Sequence, residues 1–125
     1  MGERKPIFKV IVAGGRKFND YNLLKSKLDA ILAEKRKTHQ IYIISGMAKG
    51  ADTLGEQYAN ENGFTVLGFP AEWNLYGKSA GILRNEEMAK VGDALIAFWD
   101  GESPGTKHMI ETARDKRLLV RVIKY

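Results

Sequence analysis

At 125 residues the chain is long enough to bury one core and too short for several domains of ordinary size. A hydrophobic fraction of 44% excludes the apolar poverty of disorder, and the absence of cysteine excludes disulfides, thiolate metal ligands and a cysteine nucleophile. The net charge of +5 favours anionic partners: nucleotides, nucleic acid or acidic protein surfaces. The opening residues MGERKP carry charge with no apolar run behind them, and the longest apolar stretches, such as ALIAFW, are far below the ~20 residues that cross a bilayer. A cytoplasmic protein with no membrane partner is the expectation.

In chain order, the first strand-like run is FKVIVA (8–13), followed by Gly14-Gly15-Arg16. Asp20 can cap a first helix that places Leu24, Leu28, Ile31 and Leu32 on one face, ending in the basic cluster EKRK (34–37). The second strand, IYIIS (41–45), runs into SGMAKGAD (45–52), and a second helix follows with Leu54, Tyr58 and Ala59 inward and Gly63 as its stop. After a third strand, FTVLGF (64–69), comes the longest irregular segment, PAEWNLYGKSAG (70–81). A third helix is expected from about Ala80 to Val91, then the strand ALIAFW (94–99) and the turn DGESPG. A fourth helix spans Thr106 to Lys116, with Met109, Ile110 and Ala113 inward, ends in the basic RDKR (114–117), and leads to the last strand, LLVRVI (118–123).

Most of these strands are continuously apolar, as strands buried on both faces are. Their alternation with helices predicts an α/β fold: a single Rossmann-like domain over 1–125 whose five-stranded, mostly parallel sheet carries helices on both faces, in the order 3-2-1-4-5. Ligands of such sheets sit beyond the C-terminal strand ends, near the switch in strand order. The residues after each strand therefore form the candidate site.

Glycines in these turns let backbone N–H groups approach an anion, and a helix start adds partial positive charge. The turns at Gly46 to Gly50 and at Gly105-Thr106 have that form, although both serve equally as tight connections. No P-loop is present, since Gly77-Lys78-Ser79 has Glu72 where the first glycine belongs, and GxGxxG is absent. Arg16 and Arg84 are the expected phosphate cations, with a surface pair to Glu87 as the alternative for Arg84. Asp52 can take ribose hydroxyls or complement its helix, and Trp73, Tyr76 or Trp99 can cover a base or fill the core. His39 and His108 stand alone without HExxH, so neither a metal nor a cofactor is expected.

Three segments in order, SGMAKGAD, LRNEEM and DGESPGTKHMIETA, resemble the SLOG superfamily of Rossmann-like domains, in particular its small stand-alone bacterial and phage members. The Lonely Guy type phosphoribohydrolases of that superfamily release a base from a nucleoside monophosphate. Arg84 matches their arginine and Gly105-Thr106 their phosphate-binding turn. Their catalytic glutamate falls three residues after that threonine, where this chain has Met109. Glu102 and Glu111 remain weak catalytic candidates, with Asp100 beside them. SGMAKGAD and Arg84-Asn85 are also similar to the DNA-processing protein that loads recombinase on single strands. The resemblance implies binding or sensing of a mononucleotide, ADP-ribose or a dinucleotide, with hydrolysis and then single-stranded DNA binding as alternatives, and it allows a homo-oligomer. The implied ligand set is Gly14, Gly15, Arg16, Ser45, Gly46, Lys49, Gly50, Asp52, Trp73, Arg84, Asn85, Ser103, Gly105, Thr106 and Lys107.

Overall fold

The computed structural model describes residues 5–125. Five strands form one sheet: β1 (Ile7–Gly14), β2 (Gln40–Ser45), β3 (Thr65–Gly68), β4 (Ala94–Trp99) and β5 (Leu119–Lys124). Their order is β3-β2-β1-β4-β5 and every pairing is parallel, so the expected order holds and the sheet has no antiparallel edge. The central strand β1 aligns Val10 with Ile43 and Ala94, and Ile11 with Ile44 and Leu95.

The period of two along β1 divides the core. Val10 and Val12 face α1 (Tyr21–Leu32) and α3 (Ala51–Asn62), where Leu24, Leu28, Leu32, Tyr58 and Ala59 are buried. Ile11 and Ala13 face α5 (Ala80–Val91) and α6 (Pro104–Asp115), where Met88, Met109, Ile110 and Ala113 are buried. Both faces of the middle strands are covered, which explains why their sequences read as unbroken apolar runs.

Helix ends follow local chemistry. The Asp20 carboxylate accepts a hydrogen bond from the Leu23 N–H at 3.0 Å, capping α1. Gly63 ends α3 in the left-handed region, at φ 70°. The basic cluster after α1 is not its last turn, because α1 stops at Leu32 and Lys35–Thr38 form a separate turn, α2. The 70–81 segment is less irregular than its composition suggests: Trp73–Tyr76 form a short helical turn, α4, continued by a 3-10 turn over Gly77–Ser79 into α5. The last helix begins at Pro104, two residues before the expected start, since proline is pre-set for a first helical position.

Crossovers leave β1 toward β2 on one side and arrive at β4 on the other. The connections after β1 and β4 therefore diverge, opening a crevice at the carboxyl edge of the sheet.

Candidate functional site

The turn after β2 shows what its glycines do. A Cβ on Gly46 would lie 2.6 Å from Arg84 Nη1 and 2.8 Å from Asp52 Oδ2, so only glycine lets that guanidinium and carboxylate flank the backbone. Gly50 has φ 80°, and a Cβ there would lie 2.6 Å from the Arg16 carbonyl oxygen, in a backbone-on-backbone contact with the loop after β1. The Ala51 N–H donates to the Gly15 carbonyl at 3.2 Å, fastening the two loops. Other amides of the turn are engaged internally: Met47 N–H donates to Ser45 Oγ at 3.0 Å and Ala48 N–H to Asp52 Oδ2 at 3.3 Å. Within the expected cradle over Gly46 to Gly50, the Met47 and Ala48 donors are thus taken up by short polar side chains, and the glycines serve close approach.

Ser45 is buried and donates to Glu56 Oε2 at 2.6 Å, which turns it away from the crevice. Asp52 is only 5% exposed, and burial raises its pKa to about 6 against the opposing Ala48 N–H and Arg84 charge. It borders the crevice but acts on it through charge, its contact being made with the turn.

Arg84 reaches across from α5. Its Nη1 donates to the Gly46 carbonyl and its Nε to Asn85 Oδ1 at 3.1 Å, so the alternative pair with Glu87 does not form; Glu87 pairs with Lys90 at 3.5 Å. Burial pulls the Arg84 pKa below that of a free guanidinium, nearby Asp52 opposes the shift and Arg16 adds to it. Asn85, itself buried, donates from Nδ2 to the Gly105 carbonyl at 3.3 Å and lies 3.1 Å from His108 Nδ1.

At the start of α6, Pro104 has no N–H, and the Lys107 N–H already donates to the Ser103 carbonyl at 3.1 Å. Lys107 is thereby removed from the expected amide set, because its donor closes the first helical hydrogen bond. The amides of Gly105 and Thr106 have no protein partner among the described residues, and a Cβ on Gly105 would meet nothing within 4 Å. Asp100 Oδ1 accepts from the Glu102 and Ser103 amides at 2.9 and 2.8 Å, which shapes the preceding loop and holds its carboxylate below the usual range.

A cavity of about 570 Å³ opens at this switch point. Of the expected ligand set, Gly14, Gly15, Arg16, Asp52, Trp73, Arg84, Asn85, Ser103, Gly105 and Thr106 line it together. Ser45, Gly46, Lys49, Gly50 and Lys107 do not; Gly46 and Gly50 lie behind the wall they help to close. Neither Glu102 nor Glu111 borders the cavity, and the carboxyls that do are those of Asp52 and Asp100. Trp99 is turned away, its Nε1 donating to the Ser103 carbonyl at 3.1 Å, while Tyr76 and His39 lie outside the lining.

Residues missed by sequence reading include Lys17, Lys78, His108 and Tyr125. Lys17 and Lys78 adjoin segments already singled out, so their charge was the available signal. His108 read as isolated because its partner, Asn85, comes from another helix. Tyr125 meets the loop after β1 only because β5 pairs with β4; its ring packs edge-on against Phe18 with centroids 4.7 Å apart. No group of residues suited to holding a metal occurs among the described residues. Likewise, no helix among them is long and apolar enough to cross a membrane.

An open, doubly wound parallel sheet with a crevice at its switch point defines the Rossmann-like class of α/β domains. Within that class, residues 8–76 match the YspA, cpYpsA-related SLOG family, and the chain belongs to it. It is 34% identical over 113 residues to the Gene 61 protein of Mycobacterium phage D29, covering 85% of this chain and 88% of the phage protein. The fold is similar to that of DNA processing protein A (DprA) from Streptococcus pneumoniae, with a TM-score of 0.70 and 18% identity over 97% of this chain. The chain spans about half of that protein, 51%. It is also similar to the protein TM1055, at a TM-score of 0.61 and 20% identity, over 93% of this chain and 72% of the other.

Proposed function

We propose that the chain is a single domain that binds a nucleotide-derived ligand, a mononucleotide, ADP-ribose or a dinucleotide, at the carboxyl edge of its sheet. In this reading the free amides of Gly105 and Thr106 receive a phosphate, and Arg84 and Arg16 supply its countercharge. Trp73, 49% exposed at the cavity rim, offers a face for the base. The observation that carries the reading is the half-buried Arg84 guanidinium, anchored on one side to Gly46 and Asn85 and bordering the same cavity as the two unpaired amides. Binding without turnover is favoured because both cavity carboxyls are engaged by backbone amides, Asp52 by Ala48 and Asp100 by its own loop.

A melting-temperature panel of AMP, ADP, ADP-ribose and NAD tests this. One of them is expected to stabilise the fold by about 2.7 kcal/mol at a hundredfold excess over its dissociation constant. The effect should vanish in Arg84→Ala. A flat response to every nucleotide overturns the reading, and release of free base from AMP would replace it with hydrolysis.

A further inference from the structure

Asn85 is the buried amide where three parts of the cavity wall meet, and hydrogen-bond chemistry leaves it one arrangement. The Arg84 Nε–H is a donor only, so the Asn85 atom 3.1 Å away must be the carbonyl oxygen. The Gly105 carbonyl is an acceptor only, so the atom 3.3 Å from it must be the NH2 group. Two independent neighbours thus fix the same amide orientation.

The consequence passes to His108. The second N–H of the Asn85 amide is directed at His108 Nδ1, 3.1 Å away, and a donor there requires Nδ1 to be the unprotonated, accepting nitrogen. In a neutral ring the proton must then sit on Nε2. That nitrogen lies 3.3 Å from Thr112 Oγ1, one helical turn on, which can accept it. Arg84 on α5, the amide pair at the start of α6 and the imidazole of His108 are joined through a single side chain. Such a network holds its members rigidly where donors and acceptors are matched, and here both N–H groups of the Asn85 amide and its carbonyl oxygen have partners.

We propose that Asn85 is the positioning residue of the cavity: its side-chain amide locks the Arg84 guanidinium, the anion-facing start of α6 and the Nε2-protonated form of His108 into one unit. The proposal rests on the reading of this cavity as the ligand site for its functional meaning, while the hydrogen-bond unit itself stands apart from it. His108 is accordingly part of the wall's support, with both ring nitrogens engaged, and is not the proton-transfer group that a cavity histidine suggests.

Nitrogen-15 NMR of the histidine ring in the folded, ligand-free protein at pH 7.5 tests the unit directly. The wild-type spectrum is expected to show one neutral tautomer at His108, with Nδ1 bare. Asn85→Ala should release it to a tautomer mixture. Asn85→Asp, whose carboxylate still accepts from Arg84 but accepts rather than donates at His108, should move the ring proton to Nδ1. A titration with AMP, followed at the Gly105 and Thr106 amides, should weaken roughly tenfold in Asn85→Ala, the size expected for losing one buried hydrogen-bonding group. Should Asn85→Ala fail to fold, Thr112→Val isolates the other end: the Asn85 amide still donates to Nδ1, so His108 is expected to keep Nδ1 bare and the Gly105 and Thr106 amide shifts to stay in place. A tautomer mixture in this variant would show that Thr112 rather than Asn85 sets the ring and overturn the proposal. An Nδ1-protonated His108 in the wild type, or Asn85 variants that leave the tautomer unchanged, overturns the proposal. If AMP and the other nucleotides bind nowhere but the tautomer obeys these substitutions, the functional reading fails and the unit survives.

Discussion

Gly46 and Asp52 illustrate how a single turn exchanges one function for another. The sequence SGMAKGAD has the glycines of an anion cradle, but its serine and aspartate side chains already accept hydrogen bonds from the Met47 and Ala48 amides of the turn. What was legible was the place, the mouth of the sheet; what was not was the orientation of each N–H, which depends on hydrogen bonds between side chains and backbone that no spacing rule encodes. The burial of Asp52 has a measurable result. Its folded pKa, raised to about 6 by burial, lies above the unfolded value of 3.8, so the native state holds the proton more tightly. Stability from this group is fully present below pH ~4 and is lost as pH rises through 6, by about 3 kcal/mol in total. Denaturant unfolding at a series of pH values should show that decline in the wild type and a flatter profile in Asp52→Asn. Parallel profiles for the two proteins would mean that the carboxyl is not desolvated.

At the scale of elements, α3 lies close on β1 because Gly55 removes a side chain at the contact. A Cβ at Gly55 would come within 2.9 Å of Val12 Cγ1 and 3.0 Å of Val12 Cβ. Val12 is β-branched, buried and part of the central strand, so it cannot rotate aside. Gly55→Ala gains about 1 kcal/mol of helix propensity but meets overpacking that costs about 1–3 kcal/mol, so a net loss of up to ~2 kcal/mol is expected. Equilibrium denaturation measures it, and a more stable variant would show that the helix simply lifts off the strand. Such a glycine reads in sequence as a weak point in a helix, whereas its reason lies across the interface. The strands, by contrast, were legible almost to the residue, because burial on both faces demands runs such as VIVA and ALIAF. The short turn α4 was not, since WNLY carries no apolar period longer than one turn. The start of α6 was misplaced by two residues for a related reason: the serine, proline and glycine before Thr106 look like a loop until Pro104 is recognised as a first helical residue.

Across the whole molecule, topology decides which charges act together. The basic residues of α2 and those around the cavity look alike in sequence, yet the parallel sheet sends them to opposite ends. Lys35 and Lys37 stand before the amino end of β2, whereas Lys17, following β1, and Lys78, ahead of α5, line the crevice at the carboxyl edge. With the carboxyls of Asp52 and Asp100 already engaged by amides, Arg16, Lys17, Lys78 and Arg84 leave the cavity with an excess of positive charge. On the proposed reading, an anionic nucleotide would be drawn to one end of a molecule whose net charge of +5 is otherwise spread over its surface. Two double variants with identical net charge separate local from global attraction. Lys17→Gln with Lys78→Gln is expected to weaken nucleotide binding roughly threefold to tenfold at low salt, the sum of two solvent-exposed charge contributions. Because exposed charges are screened over about 10 Å at 0.1 M salt, the loss should shrink as salt is raised. Lys35→Gln with Lys37→Gln, which removes the same charge from the far end, should leave the dissociation constant unchanged within a factor of two, about 0.4 kcal/mol. Calorimetric titration with the nucleotide that gives the largest melting shift provides the comparison. Equal losses in the two variants would mean that attraction follows net charge alone and that the cavity does not concentrate it.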